Sequence, residues 1–210
     1  MASTTHDEKY EDALPRLMAA HPLLFAGEFE IPSELPGGWH AIADRLCADL
    51  ETILGEQASR FQPIQSKEKW GSWRFYWRLE LDDDGKPNAF NIDLTSPPDP
   101  AGAEDLIQGD VQVSPTPAGY RIWVLPQGDV RRAVHARVRQ AETATETACM
   151  RCGEPGTYWS NGWVHVACQK HRRQEAMTLD EWRRRAEARR QKYERGRDPG
   201  KRKNQKDGDE

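Results

Sequence analysis

Cys149-Met-Arg-Cys152-Gly153-Glu-Pro-Gly156 runs on through Thr157-Tyr-Trp-Ser-Asn161-Gly162-Trp-Val-His165-Val-Ala and closes on Cys168-Gln-Lys-His171. Two pairs of metal-seeking side chains, each with two residues between its members, stand fifteen residues apart. That is the spacing of a structural zinc site with three thiolates and one imidazole. Gly153 can take the positive φ that a tight knuckle needs. Asn161-Gly162 is a hairpin signal that folds the second ligand pair back onto the first. Cys168 and His171 are expected to open a short helix. Three thiolates and an imidazole fill tetrahedral zinc and leave no position for water, so Zn2+ bound by Cys149, Cys152, Cys168 and His171 is structural, not catalytic. Chance spacing is the alternative, and the doubled pair speaks against it.

Upstream, Gly128-Asp129 opens a helix whose Val130, Val134, Val138 and Ala141 form a buried side and whose Arg131, Arg132, Arg137 and Arg139 form a wet one. It leads straight into the cysteine segment and is expected to brace it. Downstream, Thr178-Leu-Asp-Glu181 is a capping box. It starts a charged helix from Trp182 to about Arg195, followed by a tail expected to be disordered that carries Lys201-Arg202-Lys203.

The first half predicts a short helix over residues 9–20, an apolar plug at His21–Phe25 and a loop at 27–38. A longer helix follows from Gly38 to Leu54, where Trp39, Ile42, Leu46, Leu50 and Ile53 make one stripe and Gly55 a stop. Cys47 beside that stripe reads as a small buried hydrophobe. From Trp73 the chain alternates: Trp73, Phe75, Trp77, Leu79 and Leu81 on one face; Arg74, Tyr76, Arg78 and Glu80 on the other. A turn at 82–88 and a return strand at Phe90, Ile92 and Leu94 complete an expected hairpin. Residues 95–109 read as a loop, and short strands are expected at 110–113 and 120–125. The fold class is therefore α+β. A small, mainly antiparallel sheet with two packing helices is followed by a zinc-ribbon or treble-clef-like module and a basic helical tail. The expected boundaries are a disordered 1–8, a core at 9–147, the zinc module at 148–173 and the basic end at 174–210.

Gln65-Ser-Lys-Glu-Lys-Trp-Gly-Ser-Trp-Arg-Phe-Tyr76 resembles the Q-x-K-E-K-[FW]-G-x-[LW]-R-F-Y strand of a group of uncharacterised small proteins from phages, prophages and bacteria. The likeness extends to His21-Pro-Leu-Leu-Phe25, to Gly38-Trp39 through Leu50, to Ala141-Glu142 and to the Cys149–His171 segment, which resembles that group's closing ribbon. Trp70 and Trp73 stand where Phe and Leu are more usual there. The resemblance implies an architecture and a mobile-element origin, and no reaction.

Charge is unevenly placed. Residues 1–169 hold 15 Lys and Arg against 25 Asp and Glu; residues 170–210 hold 15 against 9. A basic end seeks an acidic partner or folds back on the acidic body. Mean hydropathy is −0.89, low for a wholly packed chain, while eight Trp imply a real core. No run is long enough to span a membrane, the first residues lack an apolar leader, and the cysteines suit metal better than disulfides. The expected place is a reducing cytoplasm, the host's if the chain is phage-encoded.

Arg74, Tyr76 and Arg78 alternate behind Trp70, a layout shared by single-strand nucleic-acid platforms and by ordinary half-exposed strands. The acidic body favours the ordinary reading. Lys67-Glu68-Lys69 could perturb a carboxylate, but no nucleophile with a partner and no phosphate loop accompanies it. His21 reads as a turn residue, and His40 and His135 as isolated helix positions. The candidate partner-binding residues are Trp70, Arg74, Tyr76, Arg78, Arg172, Arg173, Arg183, Arg184, Arg189, Arg190, Lys201, Arg202 and Lys203. Interleaved glutamates also allow the Arg-rich helix to be a merely solvated one. The leading reading is a non-enzymatic, zinc-stabilised protein engaging nucleic acid or a nucleoprotein through its Arg-rich end. The alternative is an accessory protein that inhibits a host defence protein through the aromatic strand. An enzyme with an unrecognised site comes third.

Overall fold

The computed structural model describes residues 10–27, 29–80, 90–94, 111–116, 119–124 and 128–196. The expected turn at 82–88, the loop at 95–109 and both expected disordered ends (1–8 and the tail from 198) lie outside them. Four helices and eight strands are described: α1 (Leu14–Ala20), α2 (His40–Leu54), β1 (Phe61–Lys69), β2 (Ser72–Leu79), β3 (Phe90–Leu94), β4 (Val111–Thr116), β5 (Gly119–Val124), α3 (Asp129–Thr145), β6 (Thr157–Ser160), β7 (Val164–Ala167), β8 (Met177–Thr178) and α4 (Leu179–Gly196). The α+β class holds. The one sheet expected in the core is two antiparallel ones, ordered β1-β2 and β3-β5-β4, and the expected hairpin of the cysteine segment belongs to a third, β7-β6-β8.

The apolar stripes do what their spacing dictates. Leu46, Leu50 and Leu54 of α2 and Val134, Val138 and Ala141 of α3 are buried together with Trp73, Phe75, Trp77 and Leu79 of β2. Phe61 stacks on Phe75 and Trp77, with centroids 6.1 and 5.8 Å away. Such side chains each contribute about 1.5–3 kcal/mol on burial.

The expected hairpin is displaced. β2 pairs not with Phe90–Leu94 but with β1, through a two-residue turn at Trp70-Gly71; β3 pairs with β5 instead. Both turn residues have positive φ, 55° and 76°, as a tight hairpin of this handedness requires. A tryptophan rarely takes that conformation. Glu68 Oε1 accepts the Gly71 N–H at 2.5 Å, and Lys69 Nζ sits 4.6 Å from the centre of the Trp70 ring.

α3 closes the free edge of β2. Trp73 N donates to Thr145 Oγ1 and Phe75 N to Glu142 Oε1, both at 2.9 Å, and Arg131 Nη2 donates to Leu79 O at 3.2 Å. The lengths match: fourteen helical steps from Arg131 to Thr145 rise about 21 Å, and six strand steps from Trp73 to Leu79 about 20 Å. Helix side chains thus satisfy edge groups that another strand would otherwise pair. The expectation that Arg131 is wet is corrected. It is 3% exposed, because the edge carbonyl of Leu79 needs a donor. Glu142, 1% exposed, also faces the Arg121 guanidinium of β5 at 3.6 Å, which ties the second sheet to the helix.

The cysteine segment is bolted to this core. Trp39 Nε1 donates to Ala148 O and Gly38 N to Met150 O, each at 2.9 Å. Ala148 and Met150 belong to the same hydrophobic cluster as α2 and β2. A Cβ on Gly38 would lie 2.2 Å from Cys149 O, and one on Gly153 would lie 2.7 Å from Gly38 O. Two glycine backbones therefore meet where no side chain fits.

Candidate metal centre

Each ligand pair is presented by a tight turn. On the first, Gly153 at φ 76° lets its N–H return to Cys149 O at 2.9 Å, and Cys149 N donates to Glu154 O at 2.8 Å. On the second, His171 N donates to Cys168 O at 3.0 Å. This is a turn, not the expected short helix; the chain goes on into β8. β6 and β7 meet in register from Thr157–Ala167 to Ser160–Val164, with Asn161, Gly162 and Trp163 at the tip. The hairpin signal is correct, and it brings the pairs together.

Cys149, Cys152, Cys168 and His171 lie close together and could hold a metal ion; their ligand atoms are all within 4.8 Å of one another. Cys149 Sγ is 3.5 Å and Cys168 Sγ 3.4 Å from His171 Nδ1, and Cys152 Sγ is 3.8 Å from Cys168 Sγ. Cys149 is buried against Trp159 and Ala167, while Cys152 is exposed. Cys47 stands apart in the core, where burial pushes its thiol up. That suits the packing role expected of it.

The strand residues fare differently. Arg74, expected on an outer face, is 1% exposed. Its Nη1 donates to Ser72 Oγ at 2.6 Å and to Trp73 O at 2.9 Å. The ribbon covers that face of the hairpin: a Cβ on Gly71 would come within 2.9 Å of the Tyr158 ring. Arg74 is therefore an internal cation and no contact residue. Around it, burial pushes Glu68 up to about 7, with Glu34 adding and the Gly71 N–H and Arg74 opposing. Burial likewise raises Glu146, against Arg74 and Ser72. Sequence patterning missed this interior ionic group, because an alternating Arg reads as solvent-facing until something covers it. Trp70 and Tyr76 are half-buried, Tyr76 beneath Lys67 Nζ at 5.1 Å. Arg78 is exposed and bridges to Glu30 at 3.2 Å.

His21 and His135 are buried. His21 is no simple turn residue: it is buried with Asp44 3.1 Å from Nε2 and Glu51 3.2 Å from Nδ1. Burial pushes His135 down to about 4, with Arg139 adding.

Arg172, Arg173, Arg183, Arg184, Arg189 and Arg190 are all exposed. Lys201, Arg202 and Lys203 lie outside the described residues. The capping box forms, Glu181 N donating to Thr178 Oγ1 at 3.3 Å. At about 100° per residue, Arg184, Lys192, Arg185 and Arg189 of α4 fall within one arc of about 140°, in which Glu181 is the one acidic residue. Asp180, Glu187 and Glu194 fall within about 40° on another side. Ion pairs occupy Arg183 with Asp180 at 3.6 Å, Arg185 with Glu181 at 2.6 Å and Arg190 with Glu187 at 2.9 Å. Arg184, Arg189 and Lys192 make none among the described residues.

No protein-family model, curated protein or solved structure matches the chain. No described helix is long and apolar enough to cross a membrane.

Proposed function

We propose that this protein is a non-enzymatic binding protein, stapled by structural zinc, whose Arg-rich C-terminal arm engages nucleic acid or a nucleoprotein. Two lines support the zinc. Tetrahedral zinc about 2.3 Å from sulfur and about 2.05 Å from imidazole nitrogen implies edges of about 3.8 Å for S···S and about 3.6 Å for S···N. One S···S separation is 3.8 Å and two S···N separations are 3.4 and 3.5 Å, and all four atoms lie within 4.8 Å of one another. The donor set itself, soft thiolates with one imidazole and no carboxylate, selects zinc over harder cations. Cys149, Cys152, Cys168 and His171 would fill its coordination, so the metal would supply folding energy and no reactive position.

The observation that carries the binding role is the charge on α4. A helix that only needed solvent would pair its arginines evenly with its glutamates. Here Arg183, Arg185 and Arg190 are paired, and Arg184, Arg189 and Lys192 are left for an outside anion. Residues 170–196 hold ten Lys and Arg against five Asp and Glu, while the body before them is acidic and would repel phosphate. The phosphate backbone thus has one end of the molecule to meet.

The test is binding of labelled oligonucleotides across a salt series. Affinity should fall steeply from 50 to 200 mM salt, and the double variant Arg184→Glu/Arg189→Glu should flatten the log–log slope by about one to two units. Absence of binding at 50 mM salt refutes the reading. Capture of a protein from nuclease-treated lysate would instead favour the host-protein alternative.

A further inference from the structure

Aromatics and cations also come together on the β6–β7 hairpin, on the side that carries the buried Trp159 and His165. Trp159 and His165 are directly opposite in the β6–β7 register and so share one face. Trp163 stands in the turn just before β7, and its carbonyl faces His165 Nδ1 at 3.2 Å. Arg172 lies over the Trp159 ring, 5.1 Å from its centre. Arg173 is near enough to His165 to help burial hold that imidazole neutral. Both arginines are exposed.

The Trp163 side chain makes no hydrogen bond or ring contact among the described residues. It is 54% exposed, at a tip where a Cβ on Gly162 would meet nothing within 4 Å. The other ribbon tryptophan, Trp159, is 9% exposed and donates Nε1–H to Ala167 O at 3.0 Å. One indole thus holds the module together, and the other projects from it into open space.

We propose that this face is a platform for single-stranded nucleic acid, one unstacked base lying on Trp163 and neighbouring phosphates meeting Arg172 and Arg173. It rests on the nucleic-acid reading of the arm and adds to it which form is bound. Bases in a duplex are already stacked on one another and offer no face to an indole, whereas single strands do. The cations over Trp159 and near His165 suit phosphate. The ribbon also leads through β8, paired with β6 at Trp159 and Ser160, directly into α4, so platform and arm belong to one strand-binding end.

The test compares a labelled twelve-residue oligodeoxythymidine with its duplex, titrated by anisotropy against zinc-loaded full-length protein. The single strand should bind more tightly. Trp163→Ala should weaken it by about five- to a hundred-fold, the range for loss of one stacked base, with the salt slope unchanged. Trp163→Phe should keep most of the affinity, and both variants should keep their metal, since the side chain is at the surface. Equal binding of duplex and single strand, or full affinity in Trp163→Ala, overturns the platform while leaving the arm's role intact. If neither oligonucleotide binds at low salt, both fall. If Trp163→Ala instead loses a protein partner that survives nuclease treatment, the platform is a protein contact and the proposal is wrong.

Discussion

Alanine at Gly38 drives a methyl group into the first knuckle. The new Cβ would stand 2.2 Å from Cys149 O, 2.6 Å from Gly153 N and 2.7 Å from Cys152 N. These neighbours are backbone atoms of the ligand turn, not flexible side-chain ends. An ordinary contact needs about 3.5 Å, so the carbonyl has to retreat by more than 1 Å, and Cys149 Sγ must leave its place beside His171. The Gly38 N–Met150 O and Trp39 Nε1–Ala148 O bonds, both 2.9 Å, are strained by the same shift. Overpacking costs about 1–3 kcal/mol, and each hydrogen bond adds about 1 kcal/mol. A loss of about 3–5 kcal/mol is expected, a large share of a stability of about 5–15 kcal/mol. Urea unfolding followed by tryptophan fluorescence gives the difference, and a competing chelator reports how firmly metal is held. A Gly38→Ala protein within 1 kcal/mol of the parent, with unchanged metal retention, would refute the claim that core and knuckle share this contact.

Four further outcomes follow from the edge and the buried charges. Glu142→Ala leaves Arg121 and the Phe75 N–H without their partner in the interior and should cost about 3–5 kcal/mol in urea melts; Thr145→Val, which removes the acceptor of the Trp73 N–H, should cost about 1–2 kcal/mol. Glu68 has a folded pKa of about 7 against 4.5 for the free side chain. Between those values the native state holds more protons than the unfolded chain, so its contribution to stability falls as pH rises through that window. Glu68→Gln keeps an acceptor for Gly71 N and should remove that fall. For a partly accessible group the difference between parent and variant should be about 1–2 kcal/mol from pH 5 to 7.5, and parallel pH profiles would refute it. His135, whose pKa is pushed down, has the opposite sign: its contribution to stability rises with pH from about 4 to 6.5, and His135→Gln should flatten that rise in the same melts.

How much of this was legible in the sequence follows from where each constraint lies. The Cys149, Cys152, Cys168 and His171 cluster was readable because metal chemistry fixes residue type and spacing within a few positions. The stripes of α2 and α3 were readable because a helix repeats its buried positions locally. β1 was not: its Gln62, Gln65, Lys67 and Glu68 do not alternate with apolar residues, and its turn puts Trp70 where Asn or Gly is usual. The buried Arg74, Arg131 and Glu142 were read as wet or left unread because what covers them is distant in the chain. Glu142 meets Phe75 across 67 positions and Arg131 meets Leu79 across 52. Such partners leave no local period. The contact of Arg172 with Trp159 was hidden for the same reason, since it forms only after the chain has folded back.

The claim on which everything else depends is that Cys149, Cys152, Cys168 and His171 hold a metal that locks ribbon and arm to the core. Elemental analysis of the purified full-length protein by plasma mass spectrometry tests it most directly. The expected result is about one zinc per chain, lost in Cys149→Ser and Cys168→Ser together with protease resistance of the ribbon. A folded, protease-resistant protein that contains no zinc, and takes none up on reconstitution, would contradict it.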